Sequence, residues 1–245
     1  MNKIALIPAY QPKKDLLYPI IDELLDNNYS IVVVDDGSGD NFKDVFKMLP
    51  PNVNVLSYGE NHGKGYAIKH GLKYIKKHFS IDDVVVTIDS DGQHKVSDAN
   101  KLITKLAKQK NVLVLGSRVL SKNNPLRSRI GNSLVKFLFH TVTKTKINDT
   151  QTGLRAFSFA LIDLLISVPG NRYEYEMNEL LYCTRNNIKI IEEIIETIYF
   201  GKNDSSHYQT IPDSLRIFKE FIIFSLSSLV TSKSFNTSTF LLISE

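Results

Sequence analysis

The chain has 245 residues, of which 42% are hydrophobic and 23% charged, and its formal net charge is +4. This composition indicates one substantial core with room for a small appendage, and it excludes disorder, collagen-like sequence and repeats as descriptions of the whole chain. The mild positive charge suits contact with phosphates or an anionic membrane surface but is too small to indicate nucleic acid binding. The single cysteine, Cys183, excludes an intrachain disulfide and a cysteine-based zinc site, and it is typical of a reducing, cytosolic setting.

Neither a secretory leader nor a membrane span is evident in the sequence. The longest apolar run near the C-terminal end, residues 221–230, is about half the length that a helix needs to cross a bilayer. We therefore expect a soluble or peripheral protein.

Short apolar runs alternate with helical patterns through the first half of the chain. We predict strands at 4–7, 31–34, 53–57, 84–88 and 112–116, and helices at 15–27, 42–49, 65–78 and 97–108. Continuously apolar strands separated by helices are typical of a parallel sheet that is covered by helices on both faces. The second half is less regular, and there we predict helices at 125–143, 157–168, 173–186 and 213–229 and a late strand within 188–199.

Three of the predicted strands end in polar groups. The first is followed by residues 8–10 (Pro-Ala-Tyr), the second by Asp35 and Asp36, and the fourth by residues 89–91 (Asp-Ser-Asp). Ligands of parallel α/β sheets bind beyond the carboxyl ends of the strands. We therefore expect these three strand ends to line one crevice.

The most informative segment is residues 89–93 (Asp-Ser-Asp-Gly-Gln), directly after the fourth strand. Alternate residues of a strand lie on one face, so Asp89, Asp91 and Gln93 converge if the extended conformation continues. Three oxygen ligands suit Mg²⁺ or Mn²⁺, which complete their coordination with water and substrate phosphates. The segment indicates chemistry on a nucleotide diphosphate, although a solvated acidic turn would contain the same residue types.

Six segments together resemble the family 2 glycosyltransferases, especially the branch of dolichyl- and polyprenyl-phosphate sugar synthases. In chain order they are 7–10 (Ile-Pro-Ala-Tyr), 33–38 (Val-Val-Asp-Asp-Gly-Ser), 61–65 (Asn-His-Gly-Lys-Gly), 89–93, 116–118 (Gly-Ser-Arg) and 149–155 (Asp-Thr-Gln-Thr-Gly-Leu-Arg). They follow the order of the family. The resemblance implies the GT-A fold, a Rossmann-like α/β sandwich with a mostly parallel central sheet and helices on both faces.

The resemblance also implies which residues bind the nucleotide. Pro8 and Tyr10 correspond to a ledge that packs on the base, and Asp35 and Asp36 correspond to a pair that contacts base and ribose, where carboxylates accept hydrogen bonds. Two of these residues have structural alternatives, since an aromatic residue at a strand end often belongs to the core and an aspartate before a glycine often forms a turn.

Phosphate and metal contacts follow in the same way. Residues 63–65 (Gly-Lys-Gly) precede a predicted helix, so their amides and the Lys64 charge are suited to a phosphate, whereas a turn that merely caps the helix is the alternative. Asp89, Asp91 and Gln93 correspond to the metal site of the polyprenyl branch. There Mg²⁺ or Mn²⁺ acts as a Lewis acid that neutralises the diphosphate leaving group.

A second group of residues corresponds to the acceptor side of the family's site. Arg118, Arg127 and Arg129 fall where the family places cationic contacts to the acceptor phosphate, which guanidinium groups bind in a bidentate manner. Asp149 lies in the later polar turn. Transfer to a sugar hydroxyl requires a base that takes the proton, whereas a phosphate acceptor is already anionic. Asp149 is therefore either a catalytic base or a structural turn residue.

The chain departs from the family pattern at Gln11-Pro12 and in its polar tail at 231–245. Gln11-Pro12 stands where many relatives carry Asn-Glu, a variation found in a branch whose catalytic domain precedes a membrane-embedded GtrA-like domain. We predict a GT-A catalytic domain at 1–200, a loop and an amphipathic juxtamembrane helix at 201–230, and at 231–245 a polar tail that reflects a truncated membrane domain. Alternatively, the helix packs on the catalytic domain.

The predicted function is a metal-dependent, inverting glycosyltransferase that moves a sugar from a nucleotide-diphosphate sugar to a polyprenyl phosphate of the undecaprenyl or dolichyl type. We expect a cytoplasmic protein at the inner face of the cell membrane. The alternatives are transfer to a hydroxyl of a cell-envelope glycan or lipid-linked oligosaccharide, and a non-catalytic nucleotide-sugar-binding remnant. A nucleotidyltransferase is disfavoured because no glycine-rich phosphate loop follows Ile7.

Overall fold

A computed structural model describes residues 1–107, 109, 111–118, 126–196 and 216–225, with the backbone alone for 126–132. Its strands are β1 (Lys3–Ala9), β2 (Tyr29–Asp35), β3 (Asn54–Ser57), β4 (Val84–Thr87), β5 (Val112–Arg118), β6 (Arg155–Ser158) and β7 (Lys189–Ile195). They form one sheet in the order β3-β2-β1-β4-β6-β5-β7. The neighbours are parallel except for β6, which is antiparallel to both β4 and β5. The predicted mostly parallel α/β sheet is confirmed.

Helices cover both faces of this sheet. They are α1 (Lys14–Asp26), α2 (Lys43–Lys47), α3 (Lys64–His78), α4 (Val96–Leu106), α5 (Leu126–Thr143), α6 (Ile162–Ser167), α7 (Glu174–Arg185) and α8 (216–225), with short 3-10 turns at Asp40–Phe42 and Phe159–Leu161. Alternate strand residues enter different cores: Ile4 and Leu6 pack towards α3, α6 and α7, whereas Ala5 and Ile7 pack towards α1 and α4. Burial on both faces explains why the strands are continuously apolar.

Strand β1 continues past the point where the sequence predicts its end. The prediction stops it at Pro8, but β1 runs to Ala9 and Pro8 is paired in register with Val34. On the other side, the pairing with β4 ends at Leu6 opposite Thr87. The missing amide of Pro8 therefore falls where β4 no longer requires a donor.

The antiparallel strand β6 is absent from the sequence-based prediction, which assigns a helix to 157–168. The observed helix α6 begins only at Ile162, after β6 and a 3-10 turn. Ala156 of β6 lies opposite Val86 on one side and Val114 on the other. Pairing with two buried strands thus outweighs the local preference of this short segment.

Helix α8 packs on the rest of the described chain with one face. Ile217, Phe221 and Phe224 are buried in the core cluster that contains residues of α5 and α7, which agrees with the packing alternative. Phe218, Ile222 and Ile223 are about half exposed on its other side. The rest of the predicted appendage, 201–215 and 226–245, lies outside the described residues.

Within the ranges that the structure describes, we find no helix with both the length and the apolar character needed to cross a membrane.

Candidate active site

A cavity of about 380 Å³ opens at the carboxyl ends of β1, β2 and β4. The three polar strand ends meet here, together with the start of α3 and the loop that precedes α7. The lining residues are Pro8–Lys13, Asp36, Asn61, Gly63, Lys64, Ala67, Asp89–Asp91, Arg172 and Tyr173. The position agrees with the rule that α/β sheets bind ligands beyond the carboxyl ends of their strands.

Asp36 is buried in the wall of this cavity, and its carboxylate accepts hydrogen bonds from neighbouring groups of the protein. Its oxygens accept hydrogen bonds from the Tyr58 hydroxyl (2.8 Å), the Asn61 side-chain amide (2.8 Å) and the backbone amides of His62 (2.9 Å) and Gly63 (2.9 Å). Asp36 therefore fixes the loop that leads into α3. A contact of Asp36 with base or ribose stays a prediction.

The other predicted nucleotide-binding residues are placed differently from one another. Pro8 and Tyr10 line the cavity beside Asp36. Asp35, at the end of β2, does not line it among the described residues, and its Oδ1 accepts the backbone amide of Ser38 at 2.9 Å. Asp35 thus closes the turn after β2.

Lys64 connects the acidic turn after β4 to helix α7. Its Nζ lies 2.7 Å from Oδ1 of Asp89 and 2.8 Å from Oε1 of Glu176. Burial favours the neutral amine, but the two carboxylates outweigh it and hold the pKa of Lys64 above its usual value. Burial likewise acts to raise the pKa of Asp89, yet Lys64 and His94 lower it below its usual range.

The acidic segment turns instead of continuing as a strand. Residues 90 and 91 form a turn, and Gly92 has a φ of 76°. The backbone amide of Gln93 donates to Oδ1 of Asp91 at 3.1 Å. The condition under which Asp89, Asp91 and Gln93 were predicted to converge, a continued extended conformation, is therefore not met, and their joint binding of a cation stays a prediction. Asp89 and Asp91 nevertheless both line the cavity, whereas Gln93 does not do so within the described part of the chain.

The donor set fits a hard divalent cation. Burial and the charge of Asp89 raise the pKa of Asp91 above its usual value, so the Asp91 carboxylate is the less readily ionised of the two. No group of three His, Cys, Asp or Glu side chains suited to a metal occurs among the described residues. The two carboxylates that line the cavity, completed by substrate phosphates and water, are hard oxygen ligands of the kind that Mg²⁺ and Mn²⁺ accept, and Gln93 as a third ligand stays a prediction.

The turn before β6 packs directly against Asp89. Thr87 donates a hydrogen bond to the carbonyl oxygen of Gly153 at 2.9 Å. A Cβ atom at Gly153 would lie 2.2 Å from Oδ2 of Asp89, so only glycine leaves room for this carboxylate. The later polar turn is therefore a wall of the acidic site, which its distance along the sequence does not reveal.

Arg118 and Asp149 form an ion pair at the end of β5. Arg118 Nε lies 2.6 Å from Asp149 Oδ2, and its terminal nitrogen donates to Oδ1 at 3.2 Å. Asp149 is fully buried. Burial acts to raise the pKa of Asp149, but the hydrogen bonds and charge of Arg118 hold it below its usual value. The side chains of Arg127 and Arg129, predicted as further acceptor contacts, lie outside the described residues.

Two further arginines belong to the surroundings of the site: Arg155, from the predicted later turn, and Arg172, which no sequence motif marks. Arg155 is buried and donates to the carbonyl oxygens of Thr152 (2.9 Å) and Glu176 (2.8 Å), and it pairs with Glu179 at 3.1 Å. Arg172 enters the cavity from the loop before α7. Its segment shows neither a strand-end position nor a phosphate-binding motif that would have identified it.

With this geometry in place, comparison with known proteins identifies the family. Residues 4–165 match the protein-family model described as glycosyl transferase family 2. The chain belongs to this family, and the predicted resemblance is confirmed.

Two curated relatives and one solved structure are similar to most of the chain. The UDP-N-acetylglucosamine–dolichyl-phosphate N-acetylglucosaminyltransferase of Methanococcus voltae is 32% identical over 215 residues, which cover 79% of this chain and 84% of the relative. The dolichyl-phosphate beta-glucosyltransferase of Saccharomyces cerevisiae is 27% identical, covering 92% and 74%. The glucosyl-3-phosphoglycerate synthase of Mycobacterium tuberculosis, crystallised with Mn²⁺, UDP and phosphoglyceric acid, superimposes with a TM-score of 0.65 at 20% identity, covering 92% and 78%. This likeness supports the GT-A fold.

Proposed function

We propose that this family 2 glycosyltransferase moves a sugar from a nucleotide-diphosphate sugar to a polyprenyl phosphate. The observation that carries the proposal is the Arg118–Asp149 pair. A buried aspartate whose pKa is lowered by an arginine is a poor general base. A phosphate acceptor needs no base, because its oxygen is already anionic. The two relatives that act on dolichyl phosphate support the same acceptor class.

The described residues divide the work of this reaction. We assign Pro8 and Tyr10 to the nucleotide and Arg118 to the acceptor phosphate, with Asp149 orienting the Arg118 guanidinium. An acceptor phosphate oxygen attacks the anomeric carbon from the face opposite the diphosphate, so the configuration inverts as the sugar–phosphate bond breaks. Negative charge then accumulates on the departing diphosphate.

Asp89 and Asp91, which line the cavity, would hold the divalent cation, with Gln93 as the third ligand that the sequence predicts. When bound, Mg²⁺ or Mn²⁺ supplies Lewis-acid neutralisation of the diphosphate. The Mn²⁺ and UDP in the mycobacterial structure of the same fold support this assignment. Lys64, which Glu176 holds from the other side, keeps Asp89 ionised and in place.

We also propose that the protein contacts the membrane surface through α8. Phe218, Ile222 and Ile223 expose about half of their surface on one side of the helix, and Arg216 and Lys219 are exposed beside them. Apolar side chains flanked by cations are the composition of a helix that lies in the interface of an anionic bilayer. A lipid-linked acceptor makes such contact useful.

Transfer of radiolabelled sugar to undecaprenyl phosphate tests the function directly. UDP-N-acetylglucosamine, UDP-glucose and GDP-mannose are offered to the full chain in detergent, with Mn²⁺ or with EDTA. We expect a labelled lipid with at least one donor, its loss in EDTA, and a decrease of roughly a hundredfold or more in Asp91→Asn. Asp82→Asn, which removes an exposed carboxylate outside the site, is the matched control and should leave the rate unchanged.

The other functions give different results in the same assay. Transfer to a glycan hydroxyl with no lipid product would favour the alternative acceptor. Nucleotide binding without transfer to either acceptor would indicate a non-catalytic remnant.

A further inference from the structure

Arg172 reaches the cavity from the loop between α6 and α7, far along the chain from the strand ends. Its side chain crosses the beginning of α3: a Cβ atom at Gly63 would lie 2.6 Å from Cγ of Arg172. Gly63 has a φ of 101° and donates its amide to Asp36. The absence of a side chain at Gly63 therefore makes room for Arg172 beside Lys64.

The backbone around Arg172 is fixed from two directions. From α3, Lys69 donates to the carbonyl oxygen of Gly170 at 2.7 Å, and the Tyr66 amide donates to that of Asn171 at 2.9 Å. From α7, one carboxylate oxygen of Glu174 accepts the amides of Asn171 (2.9 Å) and Arg172 (3.1 Å). A loop held in this way loses little further conformational freedom when a ligand binds.

Three cationic side chains line the cavity among the described residues, namely Lys13, Lys64 and Arg172, and Arg172 is the one guanidinium. Lys64 is committed between Asp89 and Glu176. Arg172, by contrast, is exposed at the cavity and forms no ion pair with any acidic side chain in the part of the chain that the structure describes. It thus presents hydrogen-bond donors and a full positive charge to whatever enters the cavity.

We propose that the Arg172 guanidinium binds the phosphate groups of the nucleotide diphosphate, and this inference rests on the proposed function. A guanidinium matches two phosphate oxygens with parallel N–H groups, which an ammonium does not. Arg172 holds the departing diphosphate from the α7 side of the cavity, while the ligands of the divalent cation follow β4. Its charge stabilises the diphosphate as the sugar leaves.

Binding of UDP and UMP to the full chain tests the inference, because the two ligands differ by one phosphate. Calorimetry in Mn²⁺ gives the ratio of their dissociation constants, with GDP and GMP as a second pair. In Arg172→Gln we expect UDP to bind roughly ten- to a hundredfold more weakly, which is the typical effect of losing a hydrogen bond to a charged group, and the UMP-to-UDP ratio to fall with it. Arg172→Lys should recover part of the ratio. Lys73→Gln removes an equal charge from the exposed side of α3 and should leave the ratio unchanged.

Each other outcome overturns a defined statement. An unchanged ratio in Arg172→Gln, with wild-type UDP affinity and an unaltered melting temperature, would overturn the inference and leave the proposed function standing. A defect confined to the KM for undecaprenyl phosphate would also overturn it, since the guanidinium would then serve the acceptor. If the wild-type protein bound neither nucleotide pair, the proposed function and the inference would fall together.

Discussion

Asp36, Asp149 and Asp91 are chemically alike but differ in what surrounds their oxygens. Asp36 is bound by four protein donors, and Asp149 by Arg118 and backbone amides. Asp91 accepts a hydrogen bond from the backbone amide of Gln93, and burial and the charge of Asp89 disfavour its ionised form. A carboxylate whose donors are already supplied stabilises the fold, whereas one that lacks them is available to a cation.

Gly153 gives a direct test of how closely the late turn supports Asp89. In Gly153→Ala the new Cβ atom would meet Asp89 Oδ2 at 2.2 Å, and Lys64 on the other side leaves this carboxylate little room to move. We expect Mn²⁺-dependent UDP binding to weaken by roughly tenfold or more, at about 1.4 kcal/mol per decade. Calorimetry with and without Mn²⁺ measures the effect.

The matched control for this substitution is Gly59→Ala. A Cβ atom there meets no other atom within 4 Å. It should leave the binding constant unchanged. Equal affinities in the two alanine variants would mean that Asp89 is not held against Gly153.

Asp149→Asn separates a positioning residue from a base. Loss of a general base lowers kcat by about 10²- to 10⁴-fold and removes one limb of the pH profile. Because the pKa of Asp149 is already below its usual value, this carboxylate stays ionised above about pH 5. We therefore expect the variant to keep the shape of the wild-type kcat profile between about pH 5.5 and 9, with a higher KM for undecaprenyl phosphate. Initial rates across this pH range measure the kcat profile of the variant. Loss of one limb of that profile would identify Asp149 as the base.

The same pair has a consequence for stability. A lowered folded-state pKa contributes stability above the ordinary aspartate value, near 3.9, and loses it as the pH falls through the folded-state value. The unfolding free energies of the wild-type protein and Asp149→Asn should therefore differ at neutral pH and converge only in strong acid. Denaturant titrations at several pH values measure this difference.

At the scale of elements, α8 shows how one short helix carries two apolar faces. Phe221 and Phe224 are buried against the domain, and the ring of Phe224 lies 4.4 Å from the Arg185 guanidinium carbon. Ile222 and Ile223 remain half exposed on the other side. Packing explains the first face, and the second is the face that we propose to contact a membrane surface.

Sedimentation with anionic vesicles tests the exposed face of α8. We expect Ile222→Asp to bind vesicles about tenfold more weakly than the wild-type protein, since burial of one isoleucine contributes about 1.5–3 kcal/mol. Ile81→Asp is the matched control, because Ile81 is 64% exposed in the loop between α3 and β4. Equal losses in both variants would exclude α8 as the specific contact.

At the scale of the whole molecule, the parts predicted from the sequence are those encoded within single segments. Each parallel strand is a continuous apolar run and each helix that follows it has a helical apolar period, so their positions agree with the structure to within a few residues. The crevice was predictable because parallel strands bring their carboxyl ends to one edge. Strand β6 is not predictable from the sequence, since its pairing with β4 and β5 defines it and not its own residues.

The site residues also divide into those that a local motif marks and those that only tertiary packing places. Asp89, Lys64 and Tyr10 were found through motifs at strand or helix ends, and they line the cavity. Arg172 and Glu176 were not assigned to it, because their place depends on how α7 docks against α3. Within the acidic segment, the turn at residues 90 and 91 overrides the period-2 rule on which the predicted convergence depended.

Because β6 lies between β4 and β5 in the sheet but follows both in the chain, this part of the sheet cannot form until β6 has been synthesised. Thr87 and Gly153 are 66 residues apart, so a ribosome must translate well past the acidic turn before the wall beside Asp89 exists. Until then β4 and β5 have unpaired edges, and such edges favour association with other chains. Newly made chains should therefore depend most on chaperones during the interval between synthesis of β5 and synthesis of β6.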